Sequence, residues 1–221
     1  MFKYSFTKFK LFIISFTKFK KELEMPIRKI PIQTRSIAGN FYSYRNSKTI
    51  KYESQLEKKV FLLLEFDENV ISYEEQPLKV ENYVPDILIK TKEGKDILVE
   101  VKYQSEVDKQ DDRLIKKIDT LTKYCNDNNM EFKLYTDKDI VEPYFFNISL
   151  IYNYTRINVS DSQKKYILET IMNNDSFIAL GDLISRYNIN ISYVYSLIFH
   201  RYIDINLYKK ITNNSIVKAI Q

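Results

Sequence analysis

One cysteine, one histidine, three glycines and no tryptophan stand among the 221 residues of this chain. The lone Cys125 excludes an intramolecular disulfide, and with the lone His200 it excludes a zinc site built from cysteines and histidines of this chain. So few glycines, none of them in a phosphate-cradling loop, argue against ATP hydrolysis. No apolar run approaches the roughly 20 residues that a membrane helix needs. The N-terminal MFKYSFTKFKLFIISFTKFKKELE has an apolar centre of only Leu11 to Phe16 and no small-residue cleavage site behind it, so it does not read as a signal peptide. It carries SFTKFK twice, at 5–10 and 15–20, which reads as a short duplication ahead of a natural start at Met25. Residues 1–24 are expected to add little to the fold. With no sign of an oxidising compartment or a membrane segment, the expected location is the cytoplasm.

What is present is a soluble, globular composition, 44% hydrophobic and 29% charged, with charge unevenly spread. Residues 1–50 hold 11 Lys and Arg against 2 Asp and Glu, residues 51–146 hold 15 against 22, and residues 147–221 hold 8 against 5. A basic arm, an acidic middle and a mildly basic end suit a polyanion binder with a metal-holding centre. Solvated surface charge would give the same counts. Residues 25–50 show no period and read as an extended basic arm, whose Arg28, Lys29, Arg35, Arg45 and Lys48 are candidate DNA contacts.

Periodicity returns at Tyr52–Phe66, where Leu56, Val60, Leu63 and Leu64 form a helical stripe and Ser54 with Glu57 forms a capping box. Short β-prone segments follow at Val70–Glu74, Leu78–Val80, Asp86–Thr91 and Asp96–Tyr103. The last two flank Lys-Glu-Gly-Lys and predict a hairpin whose strands are apolar on both faces, as in the middle of a covered sheet. A helix is expected over Ser105–Cys125, a strand over Glu131–Tyr135 and a helix over Tyr144–Tyr154. The fold class is therefore α/β, a central sheet flanked by helices, over residues 51–155. Residues 156–221 read as a separate small domain: helices at Gln163–Asn173, Ala179–Tyr187 and Ser192–Arg201, then a β-prone end. That is the pattern of a winged helix, and a small helical bundle is the alternative.

The hairpin carries the chemistry. Asp86 and Glu100 are brought side by side by pairing of adjacent strands, and Glu100 and Lys102 project from one face of one strand. Two carboxylates with the backbone carbonyl of Val101 between them are hard oxygen ligands suited to Mg²⁺, and a lysine beside them can position or help deprotonate a metal-bound water. On spacing alone, a cross-strand salt bridge on a surface hairpin is an equal reading. Against it, these charges sit within apolar runs of strands expected to be central. Glu57 reads first as a capping residue and second as a third carboxylate on a helix packed on the sheet. Lys116-Lys117 reads as a solvated helix face, and Cys125 and His200 as packing and surface residues.

Pro85-Asp86 followed by Glu100-Val101-Lys102 resembles the PD-(D/E)xK signature of restriction-endonuclease-like nucleases. Glu53-Ser54-Gln55-Leu56-Glu57, Phe61–Asp67, Ser72-Tyr73-Glu74-Glu75-Gln76-Pro77 and Tyr135–Ile140 narrow the resemblance to TnsA, the endonuclease subunit of heteromeric bacterial transposases, over residues 25–146. It implies a restriction-endonuclease-like mixed sheet, a winged-helix-like C-terminal domain and a bacterial setting. It also implies Mg²⁺-dependent cutting of the transposon's 5′ ends, with Mn²⁺ substituting. The implied partners are double-stranded DNA, a transposase subunit that cuts the 3′ ends and an ATP-dependent regulator. Residue by residue, the family's helical acid falls on Glu57, its PD acid on Asp86, the acid or amide before the lysine on Glu100, and the lysine on Lys102. Some members have Gln where this chain has Glu100. A stand-alone restriction or repair nuclease, or a non-catalytic assembly adaptor, would share the same core.

Overall fold

A computed structural model describes residues 38–220, which fall into two compact units dividing after Lys138. The expected extension at 1–24, most of the basic arm and the candidate contacts Arg28, Lys29 and Arg35 lie outside the described residues.

The first unit opens with a β-hairpin, β1 (Gly39–Ser43) and β2 (Lys48–Tyr52), where the sequence suggested an aperiodic arm. Its signal is two-residue alternation: Phe41, Ser43, Ile50 and Tyr52 are all buried. Helix α1 (Gln55–Phe66) follows, with the Ser54 hydroxyl accepting the Glu57 N–H at 3.1 Å. Its Phe61 stacks on Tyr73 of β3 (Val70–Glu75) and packs against Phe41 of the hairpin, fixing helix, hairpin and sheet together. Strands β3, β4 (Ile87–Thr91), β5 (Ile97–Val101) and β6 (Glu131–Tyr135) form one mixed sheet in that order. The first three are antiparallel, and β6 runs parallel to β5. The β4–β5 turn needs Gly94, which adopts φ +78°, a left-handed conformation that only glycine takes without strain. Leu78–Val80 is not a strand: only Val80 bridges, to Tyr83.

The helix expected over Ser105–Cys125 is broken in two, α2 (Gln104–Val107) and α3 (Asp112–Asp127). Gln110 takes a positive φ, and the Asp111 carboxylate accepts the N–H groups of Arg113 and Leu114, so a fresh N-cap restarts the helix. The stripe of α3 packs Leu121 and Cys125 on Leu98 and Val80. This unit is therefore a central mixed sheet flanked by helices, the restriction-endonuclease-like arrangement expected from the sequence.

A buried carboxylate ties the hairpin to α1. Glu65 Oε1 accepts the hydroxyls of Ser43 at 2.6 Å and Tyr73 at 2.5 Å, and Oε2 accepts the N–H groups of Tyr44 and Arg45. Replacing Glu65 by alanine leaves these donors unmet and is expected to cost about 3 kcal/mol of stability. Urea unfolding measures it, and an unchanged midpoint would mean that the knot does not hold the hairpin.

The second unit contains α4 (Tyr144–Tyr152), α5 (Asp161–Met172), β7 (Phe177–Ala179), α6 (Leu180–Ser185), α7 (Ile191–Phe199), β8 (Ile203–Ile205) and β9 (Ile216–Ala219). The sheet order is β7-β9-β8, antiparallel throughout. Ile167, Ile171, Leu183, Val194, Leu197 and Val217 are buried at its centre. Helix α4, which the sequence reading placed with the preceding domain, belongs here. Its buried Asn147 donates to the carbonyls of Leu207 and Lys209, both at 2.8 Å, pinning the β8–β9 connection. The helix expected over Ala179–Tyr187 starts one residue later, because Phe177–Ala179 is taken into the sheet against Ile216–Lys218.

Candidate active site

The β4–β5 register pairs Ile87 with Val99, so Asp86, one residue before β4, lies opposite Glu100. The strands are zipped at this end: the Asp86 N–H donates to the Val99 carbonyl at 3.0 Å, and the Val101 N–H donates to Asp86 Oδ2 at 2.7 Å. The second contact ties the aspartate side chain to the neighbouring strand. Glu100, in the middle of the sheet between Leu98 and Lys102 on one face, has no exposed side-chain surface.

Lys102 stands among three oxygens. Its Nζ is 2.8 Å from Glu100 Oε1, 3.1 Å from the Val101 carbonyl and 3.9 Å from Asp86 Oδ2. These are the atoms that the sequence reading assigned to a cation, so an ammonium occupies the place a hard cation would take. Lys102 keeps 31% of its side chain exposed, which puts it at the mouth of the site with the acids behind it. Glu100 Oε2 is buried without a hydrogen-bond partner. A buried, unpartnered carboxylate oxygen is costly, and a bound cation is one way to satisfy it. Asp86, Glu100 and the Val101 carbonyl therefore fit a small divalent cation as a donor set.

The electrostatics follow from burial and crowding. Burial pushes the Asp86 carboxyl up to about 7, the Glu100 charge adds to the push, and Lys102 pulls the other way. For Lys102 burial favours the neutral amine, but the facing carboxylates Asp86 and Glu100 outweigh it and hold the group above its ordinary value. Lys102 is therefore an ammonium here, a donor and a charge.

Glu57 is placed by α1. Its carboxylate accepts the Glu53 N–H at 2.8 Å, completing the helix cap one residue earlier than a standard capping box. Burial holds this carboxyl above its usual range, and Lys102 is close enough to pull it down. Among the described residues no three acidic, His or Cys side chains cluster tightly enough to cage a metal on their own. Glu57 thus borders the centre, and the close pair is Asp86 and Glu100.

The structure adds one residue that the sequence reading set aside. Lys117 reaches from α3 to Glu100, Nζ to Oε1 at 2.5 Å, with 18% of its side chain exposed. A signal was present: 117 lies three residues after Leu114 and four before Leu121, on the inward stripe of the helix. Of the arm residues, Arg45 is engaged in the fold. Its guanidinium donates to the carbonyls of Leu64, Glu65, Asp67 and Val70, capping the end of α1, so its donors are engaged within the fold. Lys48 is exposed at the start of β2. Cys125 is a core residue whose thiol burial pushes upward, and His200 Nε2 lies 3.4 Å from the Thr155 carbonyl in the second unit.

No curated protein matches the chain. Residues 46–137, which hold every residue of this centre, match the family model described as the TnsA-like endonuclease N-terminal domain. The sheet, the hairpin-borne acids and the helical glutamate therefore lie in the segment that is similar to the TnsA-like endonuclease N-terminal domain.

Proposed function

We propose that this chain is the Mg²⁺-dependent endonuclease subunit of a transposase and hydrolyses the phosphodiester at the 5′ ends of the transposon during cut-and-paste movement. The observation that carries the reading is the unpartnered, buried Glu100 Oε2 beside Asp86 and the Val101 carbonyl, with an ammonium at their centre. A domain retained only as an adaptor has no use for so costly an arrangement.

Asp86, Glu100 and the Val101 carbonyl would hold Mg²⁺, with Glu57 as an outer carboxylate, and Mn²⁺ would fit the same oxygen set. The bound ion would supply Lewis acidity, stabilising negative charge on the phosphate and acidifying water. The chain's own part is positional. The Val101 N–H fixes Asp86, the sheet fixes Glu100, and the Lys102 ammonium orients the attacking water for in-line displacement. The segment before β1 and exposed Lys48 would contribute backbone contacts to double-stranded DNA, with affinity falling as salt rises. The order α5-β7-α6-α7-β8-β9 with a three-stranded antiparallel sheet supports a winged-helix reading of the second unit. Its partners would be the subunit cutting the 3′ ends and an ATP-dependent regulator. Among the described residues no helix is long and apolar enough to cross a membrane.

The test is Asp86→Ala in the assembled transposase, read as 5′-strand cleavage separately from 3′-strand cleavage. Loss of the 5′ cut alone is expected. A 5′ cut at the wild-type rate would remove the site assignment.

A further inference from the structure

Asp86 and Glu100 are balanced by Lys102 and Lys117 through ion-pair contacts of 4 Å or less. Both lysines converge on the same oxygen, Glu100 Oε1, and leave Oε2 without a partner. Lys102 follows directly on the strand that carries Glu100 and keeps 31% of its side chain exposed. Lys117 comes from a different element, α3, and covers Glu100 from within. With both carboxylates ionised, as holding a metal requires, the two acids and the two lysines sum to zero charge.

Neutrality has a consequence for anything that enters. A divalent cation placed among these groups adds two positive charges close to two ammoniums, in a site where screening by water is weak. That repulsion is relieved in one of two ways: an ammonium leaves, or an anion arrives with the cation. The phosphates of DNA are such anions. A Glu100 paired with Lys102 alone would carry one positive charge fewer and would admit the cation more readily.

We propose that Lys117 is a charge latch: it neutralises the metal-free centre so that a divalent cation binds well only together with a phosphate of the DNA. Lys117 is in this sense a positioning residue, acting through Glu100. The latch makes metal binding and DNA binding reciprocally cooperative, each strengthening the other by the same factor. It rests on the metal-dependent reading of the site and adds to it the order in which the centre is armed.

The experiment is calorimetric titration of the full-length chain with Mn²⁺, with and without a short duplex carrying a transposon end. The proteins are wild type, Lys117→Gln, Lys117→Met and Lys117→Arg. Glutamine keeps a donor for Glu100 without the charge, and thermal melting checks that each variant is folded. Without DNA, the Gln and Met variants are expected to bind Mn²⁺ about fivefold or more tighter than wild type, and Arg to behave like wild type. DNA is expected to tighten Mn²⁺ binding in wild type by more than in the Gln variant. Equal or weaker Mn²⁺ binding by both neutral variants, or the same enhancement by DNA in both proteins, would overturn the latch while leaving the metal site standing. No Mn²⁺ binding by wild type under either condition would remove the metal-dependent reading, and the latch with it.

Discussion

Methionine in place of Lys102 is expected to slow 5′-strand cleavage by the assembled transposase about a thousandfold, with the fold retained. Among the described residues the ammonium is the one cationic group in ion-pair contact with both acids of the centre, at 2.8 Å from Glu100 and 3.9 Å from Asp86, and it is 31% exposed. It is held protonated by those acids against the pull of burial. It can therefore donate to a water or a phosphate oxygen at neutral pH, and methionine removes both the donor and the charge while filling similar space. Lys102→Arg restores the charge but not the compact geometry, since a planar guanidinium cannot converge on Glu100 Oε1 and the Val101 carbonyl as a tetrahedral ammonium does. Its rate should fall between the two. Single-turnover cleavage of an end-bearing duplex measures the effect. Methionine cutting as fast as lysine would show that the ammonium only balances charge. Unfolding by urea separates this from a structural loss, because Glu100 keeps Lys117 as a partner in either variant.

The parts of this architecture that depend on neighbours in sequence were readable in advance. Lys92–Lys95 with Gly94 between two apolar runs dictated the β4–β5 hairpin, and the hairpin dictated that Asp86 and Glu100 meet. Ser54 and Glu57 marked the cap of α1, although the helix expected from Tyr52 begins at Gln55 because Tyr52 closes β2. What was hidden depends on partners far along the chain. The first hairpin buries Ser43, a polar residue whose partner Glu65 is 22 positions away, so its inward face does not look apolar. Arg45 reads as a DNA contact on charge alone, because its carbonyl partners, three at the end of α1 and that of Val70 in β3, are invisible to a charge count. Lys117 was discounted as half of a charged pair, although its neighbour Lys116 is the exposed member and Lys117 turns inward. The break between α2 and α3 follows from an Asp111 N-cap inside an otherwise helical stretch. The three-residue β7 carries too short a pattern to separate from the helix behind it.

Asparagine at position 86 is expected to abolish the 5′ cut and yet to stabilise the metal-free protein by about 2 kcal/mol at pH 8. The Asp86 carboxyl titrates at about 7 in the folded chain against an ordinary 3.8, because burial and then the Glu100 charge oppose its ionisation. An acid whose pKa is raised on folding binds its proton more tightly in the folded state. It favours folding below pH 4, loses that contribution as pH rises to 7, and imposes the full penalty above 7. Lys102, raised above its ordinary value, keeps its charge throughout this window and adds no slope there. Asparagine has no such proton to lose, and its side-chain oxygen can still accept the Val101 N–H that Asp86 accepts at 2.7 Å. Urea unfolding with a chelator present, at pH 5 and pH 8, should show the gap between variant and wild type widening with pH. A gap of the same size at both pH values would mean that Asp86 is not destabilised where it sits. Adding Mn²⁺ together with an end-bearing duplex at pH 8 should narrow the gap from the wild-type side, because the cation favours the ionised carboxylate that burial penalises. A carboxylate that penalises the metal-free fold is then one that a metal-bound centre would use.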